Sequence, residues 1–159
     1  MSDSTDTRPL RERLALHPFV AGLPDPFVDR LLGFATEQAY PSGAFVLREG
    51  EAADTLYLLT AGRVVLEVAG PGRPLERVET LCAGELLGLH WLFHPRRWVL
   101  DARVIEPVRL IALDAERLRA ELDRDPAFGY AVTTRLLAQL YERLERVRLQ
   151  RLDVFKVDP

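Results

Sequence analysis

The side chains best able to do chemistry in this chain are few and scattered. His90 and His94 stand four apart, the spacing at which two imidazoles on one helix face can share a metal. No third ligand of suitable type lies close in sequence. Folding could bring Glu85 or His17 near, but packing or surface histidines are the preferred reading. Cys82 is the single cysteine, so it forms no intrachain disulfide, and with no evident base partner it offers no nucleophile. No Gly-x-Ser-x-Gly elbow, P-loop or Rossmann glycine signature occurs. The chain therefore reads as a non-enzyme without metal or cofactor. Arg143, Arg146, Arg148 and Arg151 form a basic run, but Glu142, Glu145 and Leu149 interrupt it. That composition suits a solvated helix face better than a phosphate-binding one.

The bulk numbers narrow the class further. A chain of 159 residues, 48% hydrophobic and 28% charged, suits one soluble domain with a real core. Its formal charge of −3 gives no global attraction for nucleic acid or an acidic membrane. The polar start, Met1 to Pro9, lacks the apolar run of a signal peptide and reads as a disordered tail, with the domain proper over 10–159. No run is long and apolar enough to span a bilayer, and with one free thiol the expected location is cytoplasmic.

Any such site must be positioned by the elements around it. Leu14, Leu16 and Phe19 among charges suggest a short helix within 11–20. Asp25-Pro26 reads as N-cap and first turn of a second helix, with Val28, Leu31, Leu32 and Ala35 at helical spacing to about Gln38. From Tyr40 to Leu113 apolar residues alternate in short runs: Phe45/Leu47, Leu56/Leu58, Val64/Leu66/Val68, Leu100/Ala102/Val104 and Val108/Leu110/Ala112. Turn signals separate them at Pro41-Ser42-Gly43, Ala61-Gly62-Arg63, Gly70 to Pro74 and Glu106-Pro107. This is the grammar of an antiparallel sandwich or roll. The Gly-bearing, apolar stretch from Gly84 to Arg97 reads as a helical insertion. Asp114 then caps a short helix carrying Leu118 and Leu122, and Asp125-Pro126 opens a longer one to about Asp153. On that closing helix Leu137, Leu140, Leu144 and Val147 step by three and four, as a packing seam does.

The run Gly43-Ala-Phe-Val-Leu-Arg-Glu-Gly50-Glu-Ala-Ala-Asp54-Thr-Leu-Tyr57-Leu-Leu-Thr-Ala-Gly62-Arg-Val64 resembles the first half of the cyclic-nucleotide-binding domain. Catabolite activators, protein kinase A regulatory subunits and gated ion channels share that domain. Its spaced glycines match Gly43, Gly50, Gly62, Gly84 and Gly88, and the match covers most of residues 15–155. The resemblance implies an α+β fold: an antiparallel β-roll with N-terminal helices, an inserted phosphate-cassette helix and a long C-terminal helix.

It also implies a ligand site. In the family the cassette helix points its N-terminus at a cyclic phosphate, and an arginine completes the clamp. Gly88 matches the glycine that opens the helix, and Arg96 or Arg97 falls where the arginine belongs. The family's ribose-binding glutamate is Leu89 here. Arg97 and Trp98 stand in place of small residues, and the base-contacting Ser/Thr pair aligns to Val147-Arg148. The expected ligand contacts are thus Gly88, Leu89, Arg96, Arg97 and Trp98, with the anion clamp kept and the reader of ribose and base lost. The implied function is a stand-alone sensor for a cyclic nucleotide or other anionic small molecule. It would signal through its closing helix to a separate protein partner and pair as a homodimer along Leu137, Leu140, Leu144 and Val147. The rival is a ligand-free interaction scaffold on a degenerate form of the same fold. Catabolite activators continue into a winged helix-turn-helix, for which the few residues past the closing helix here are too short a segment, so direct DNA binding is not expected.

Overall fold

The computed structural model describes residues 6–72 and 74–155. Of the tail expected over 1–9, residues 1–5 lie outside the described residues, while Asp6 accepts paired hydrogen bonds from the Arg8 guanidinium just before the first helix. Four helices and six strands follow: α1 (Leu10–Leu16), α2 (Asp25–Leu32), β1 (Ala35–Tyr40), β2 (Phe45–Leu47), β3 (Thr55–Val68), β4 (Glu76–Cys82), β5 (Leu86–Leu87), β6 (Asp101–Asp114), α3 (Ala115–Arg124) and α4 (Pro126–Phe155). A single 3-10 turn, Leu89–Leu92, sits between β5 and β6. All strand pairings are antiparallel. The main path runs β1-β6-β3-β4, with β2 also on β6 and β5 on β3. No helix among the described residues is long and apolar enough to cross a membrane.

The structure is the α+β roll that the sequence suggests, with three local corrections. First, α2 stops at Leu32, not near Gln38. The Gly33 N–H closes the last turn on the carbonyls of Asp29 and Arg30, and residues 35–40 instead pair with β6 from Leu113 back to Val108. Asp25 is already helical, and Pro24 holds the N-cap position. Secondly, Ala61-Gly62-Arg63 and Glu106-Pro107 are not turns between strands. They are facing bends inside β3 and β6, where the register shifts three times between Leu59 and Val64. Proline has no N–H to give a ladder and is tolerated at such a bulge. Gly62, at φ +84°, lies so close that a Cβ would collide with the Pro107 carbonyl. Thirdly, the helical insertion from Gly84 to Arg97 contains one 3-10 turn only. The left-handed backbone of Gly88, at φ +87°, separates it from β5.

The aspartate caps are built as their positions suggest. The Asp114 carboxylate accepts the Arg117 N–H at 3.2 Å, and that of Asp125 accepts from Ala127 at 3.1 Å and Phe128 at 3.4 Å. One apolar core runs through the molecule. Leu56, Leu58, Val64, Leu66 and Val104 fill the roll, and Leu14, Phe19, Leu31, Leu118, Phe128 and Leu136 bring in the helices.

This packing fixes α4 at one end. Arg30 of α2 donates to Asp125 at 2.6 Å and lies over the rings of Phe27 and Phe128. Arg135 donates to the Ala21 carbonyl at 2.6 Å. Phe128, Val132 and Leu136 are buried. Beyond Leu136 no described residue of α4 is buried.

Candidate functional site

The C-terminal part of α4 lies over the open side of the roll, and between them is a cavity of about 400 Å³ that stays partly open to solvent. Strand order explains what lines its floor. Leu47 of β2 and Leu66 of β3 both point inward, β5 supplies Leu87, and the 3-10 turn supplies Leu89 and His90 behind Gly88. Phe93 and Leu100 close the sides. The roof is one stripe of α4: Leu140, Arg143, Leu144 and Val147. Spaced three and four apart, these residues share a helix face.

Of the residues expected to bind a ligand, Gly88 and Leu89 line this cavity; Arg96, Arg97 and Trp98 do not. Residues 96–98 are instead zipped to the loop at 50–53. The Ala53 N–H donates to the Arg96 carbonyl at 2.7 Å, the Trp98 N–H to Glu51 at 2.9 Å, and the Gly50 N–H to Trp98 at 2.8 Å. The Arg97 guanidinium donates to the Gly50 carbonyl at 2.8 Å. Arg96 takes a left-handed backbone, φ 55°, and its buried Nε has no partner. Trp98 is buried, with its ring against Gly88: a Cβ there would sit 2.7 Å from the indole. Glycine at 88 thus makes room for the tryptophan as well as for the turn.

The expected dimer stripe divides in the structure. Leu140, Leu144 and Val147 face the cavity, although Leu140 and Leu144 remain partly open to solvent, while Leu137 is 66% exposed and points away. The outward apolar stripe consists of Tyr130, Leu137, Tyr141 and Leu152.

Two of the arginines read as a solvated face are engaged. The Glu79 carboxylate of β4 accepts from Arg143 at 2.7 Å and from Arg146 at 2.8 Å, and Arg146 also pairs with Glu85 at 2.5 Å. Burial alone would push the Glu79 carboxyl up, but the two guanidinium groups outweigh it and hold it below the ordinary carboxylate range. Arg148 pairs only within the helix, to Glu145. Sequence reasoning missed Glu79, because nothing in an exposed, alternating strand marks one acid as the partner of a helix. Leu47 and Leu66 were legible as inward residues of strands, but not as cavity wall.

Two further groups complete the picture. His90 reaches the cavity and His94 is exposed. His17 is buried away from it. Its Nδ1 accepts the Phe19 N–H at 3.2 Å, which leaves the proton on Nε2. Burial drives its pKa down to about 4. The Leu59 and Glu85 carbonyls oppose that shift, but neither makes a well-formed hydrogen bond to Nε2.

Comparison with known proteins gives this architecture a lineage. Residues 37–125 match the cyclic nucleotide-binding domain family. The chain is 28% identical over 125 residues to the cyclic AMP receptor protein of Thermus thermophilus, covering 79% of this chain and 58% of that protein. It is 26% identical over 119 residues to a CRP-like cAMP-activated global transcriptional regulator of Mycobacterium tuberculosis, covering 75% and 51%. The chain thus spans little more than half the length of these curated relatives. Among solved structures, a cyclic nucleotide-binding domain from Methylobacillus flagellatus superposes with a TM-score of 0.79 at 20% identity, covering 93% of this chain and 85% of that one. The Thermus thermophilus catabolite activator protein superposes at 0.66 with 30% identity, covering 86% and 62%.

Proposed function

The chain belongs to the cyclic nucleotide-binding domain family, and from that premise we propose that it works as a small-molecule sensor. An effector enters the cavity beneath α4, and the lightly held C-terminal half of that helix passes the occupied state to a partner. One observation carries this reading: the helix is buried and bonded at one end, while its other end both roofs the cavity and is held to the roll by the Arg143 and Arg146 pairs to Glu79 and Glu85. On this reading the helix has two positions, and a ligand that favours one shifts the population. Its relatives are regulators, which supports regulation in place of catalysis.

An anionic effector held by Gly88 with Arg96 or Arg97 would require a guanidinium from outside the lining to swing in, Arg97 giving up its bond to the Gly50 carbonyl. The second reading, a ligand-free scaffold, draws support from Leu89 in place of an acid and from Trp98 packed on Gly88. In either case the outward stripe of α4 suits a second copy of the chain, and we assign the homodimer to it.

Hydrogen exchange tests the lid. Removing both latch acids, Glu79→Gln with Glu85→Gln, should speed exchange of residues 140–152 by about tenfold, equivalent to about 1.4 kcal/mol, while residues 126–136 stay protected. Equal acceleration along the whole helix, or none anywhere, would show that α4 has no separately mobile half.

A further inference from the structure

We infer that the cavity under α4 takes a neutral, predominantly apolar small molecule, and that a cyclic nucleotide does not fit it. This assignment rests on the sensor reading and names the ligand class for the same site.

Only two side chains of the lining, His90 and Arg143, carry polar atoms. Arg143 is already committed, since its Nε and Nη2 both donate to Glu79, at 3.3 and 2.7 Å. A cyclic phosphate carries a fixed negative charge that must be paired when it leaves water. Here the pairing groups are absent from the lining. Arg97 is bonded to Gly50, Arg96 lies outside the lining with only its backbone in the ladder, and the 3-10 turn is too short to offer a helix terminus. A ribose hydroxyl would meet Leu89. Trp98 fills the space beside Gly88, where a phosphate would have to approach the backbone. The remainder is leucine, valine and phenylalanine, from both the floor and the roof. A volume of about 400 Å³ lies in the range of small-molecule pockets. Such a wall gains by covering apolar surface and loses by covering charge. The same side chains explain how occupancy would reach α4, because Leu140, Leu144 and Val147 touch the ligand and the helix carries them.

The probe for this is N-phenyl-1-naphthylamine, a neutral aromatic dye that brightens in apolar surroundings, titrated into the full chain. We expect saturable binding with low-micromolar affinity that excess cyclic AMP does not displace. Decanol should compete at least as well as decanoate. Leu89→Glu and Leu140→Glu, each placing a carboxylate in the wall, should weaken the dye by about tenfold or more. Leu89→Gln should weaken it less, and Val78→Glu, exposed on β4 away from the cavity, should leave it unchanged. Circular dichroism checks that each variant is folded. Displacement by cyclic AMP, lost in Arg96→Ala, would overturn the apolar assignment and leave the sensor reading standing. Dye bound equally by all the variants is surface adsorption and also overturns it. Saturable dye binding at the cavity without any change in α4 exchange supports the ligand class and removes the sensor reading. No saturable binding of dye, decanol or cyclic AMP removes both.

Discussion

At the level of single side chains, Trp98 and His17 show how local packing sets chemistry. Trp98 presses its ring on Gly88, so the glycine that could admit a phosphate admits an indole. His17 is held neutral in the core, with a pKa near 4 against about 6.5 in the unfolded chain. The unfolded state therefore takes up a proton first as the pH falls. Stability from this group is complete above about pH 6.5, drains away between 6.5 and 4, and levels off below. At about 1.4 kcal/mol per unit the loss is about 3–4 kcal/mol. Urea denaturation at a series of pH values should show that slope in the wild type and its absence in His17→Phe. A parallel slope in the variant would place the acid sensitivity elsewhere. None of this was legible in the sequence, where His17 is one polar residue beside Pro18. A buried histidine is recognised by what surrounds it, and its neighbours come from β3 and the β4–β5 turn. Leu89 was more transparent, because an apolar residue at a position where the resemblance implies an acid speaks without coordinates.

The elements were legible in proportion to the regularity of their patterns. The aspartate caps of α3 and α4 were plain from local chemistry. The bends of β3 and β6 were misread as turns because Gly62 and Pro107 are ordinary turn residues. Only their juxtaposition across the sheet makes them bulges. The stripe of α4 was legible, but not that part of it lines a cavity. A stripe at three-and-four spacing has the same appearance whether it meets its own roll or a second copy. Leu140, Leu144 and Val147 line the cavity, the two leucines still partly exposed, and Leu137 is among the outward residues with Tyr130 and Tyr141. In sedimentation velocity at tens of micromolar the wild type should be a dimer, and Leu137→Glu should be a folded monomer. Burial of each leucine in such a pair contributes about 1.5–3 kcal/mol, so one central charge is enough to split it. A monomeric wild type, or a Leu137→Glu protein that remains dimeric, would take the outward stripe out of the interface.

For the molecule as a whole, the order helix, roll, helix and its family followed from the glycine-spaced strands, whereas the working parts came from long-range pairings. Arg143 and Arg146 reach back 64 and 67 residues to Glu79, and together with Glu85 they tie the C-terminal half of α4 to the roll. The sensor mechanism requires that the free half of α4 move relative to the roll when the cavity fills. Cys82 and Gln150 lie beside the same recess, one on the roll and one on the helix, and both are exposed. Spin labels on Cys82 and on Gln150→Cys therefore report the lid directly through their dipolar coupling. The expected result is a distance distribution that shifts when N-phenyl-1-naphthylamine saturates the cavity, and that the Glu79→Gln, Glu85→Gln pair broadens without the dye. An identical distribution in the empty and dye-saturated protein, with binding confirmed by fluorescence in the same sample, would contradict the sensor mechanism.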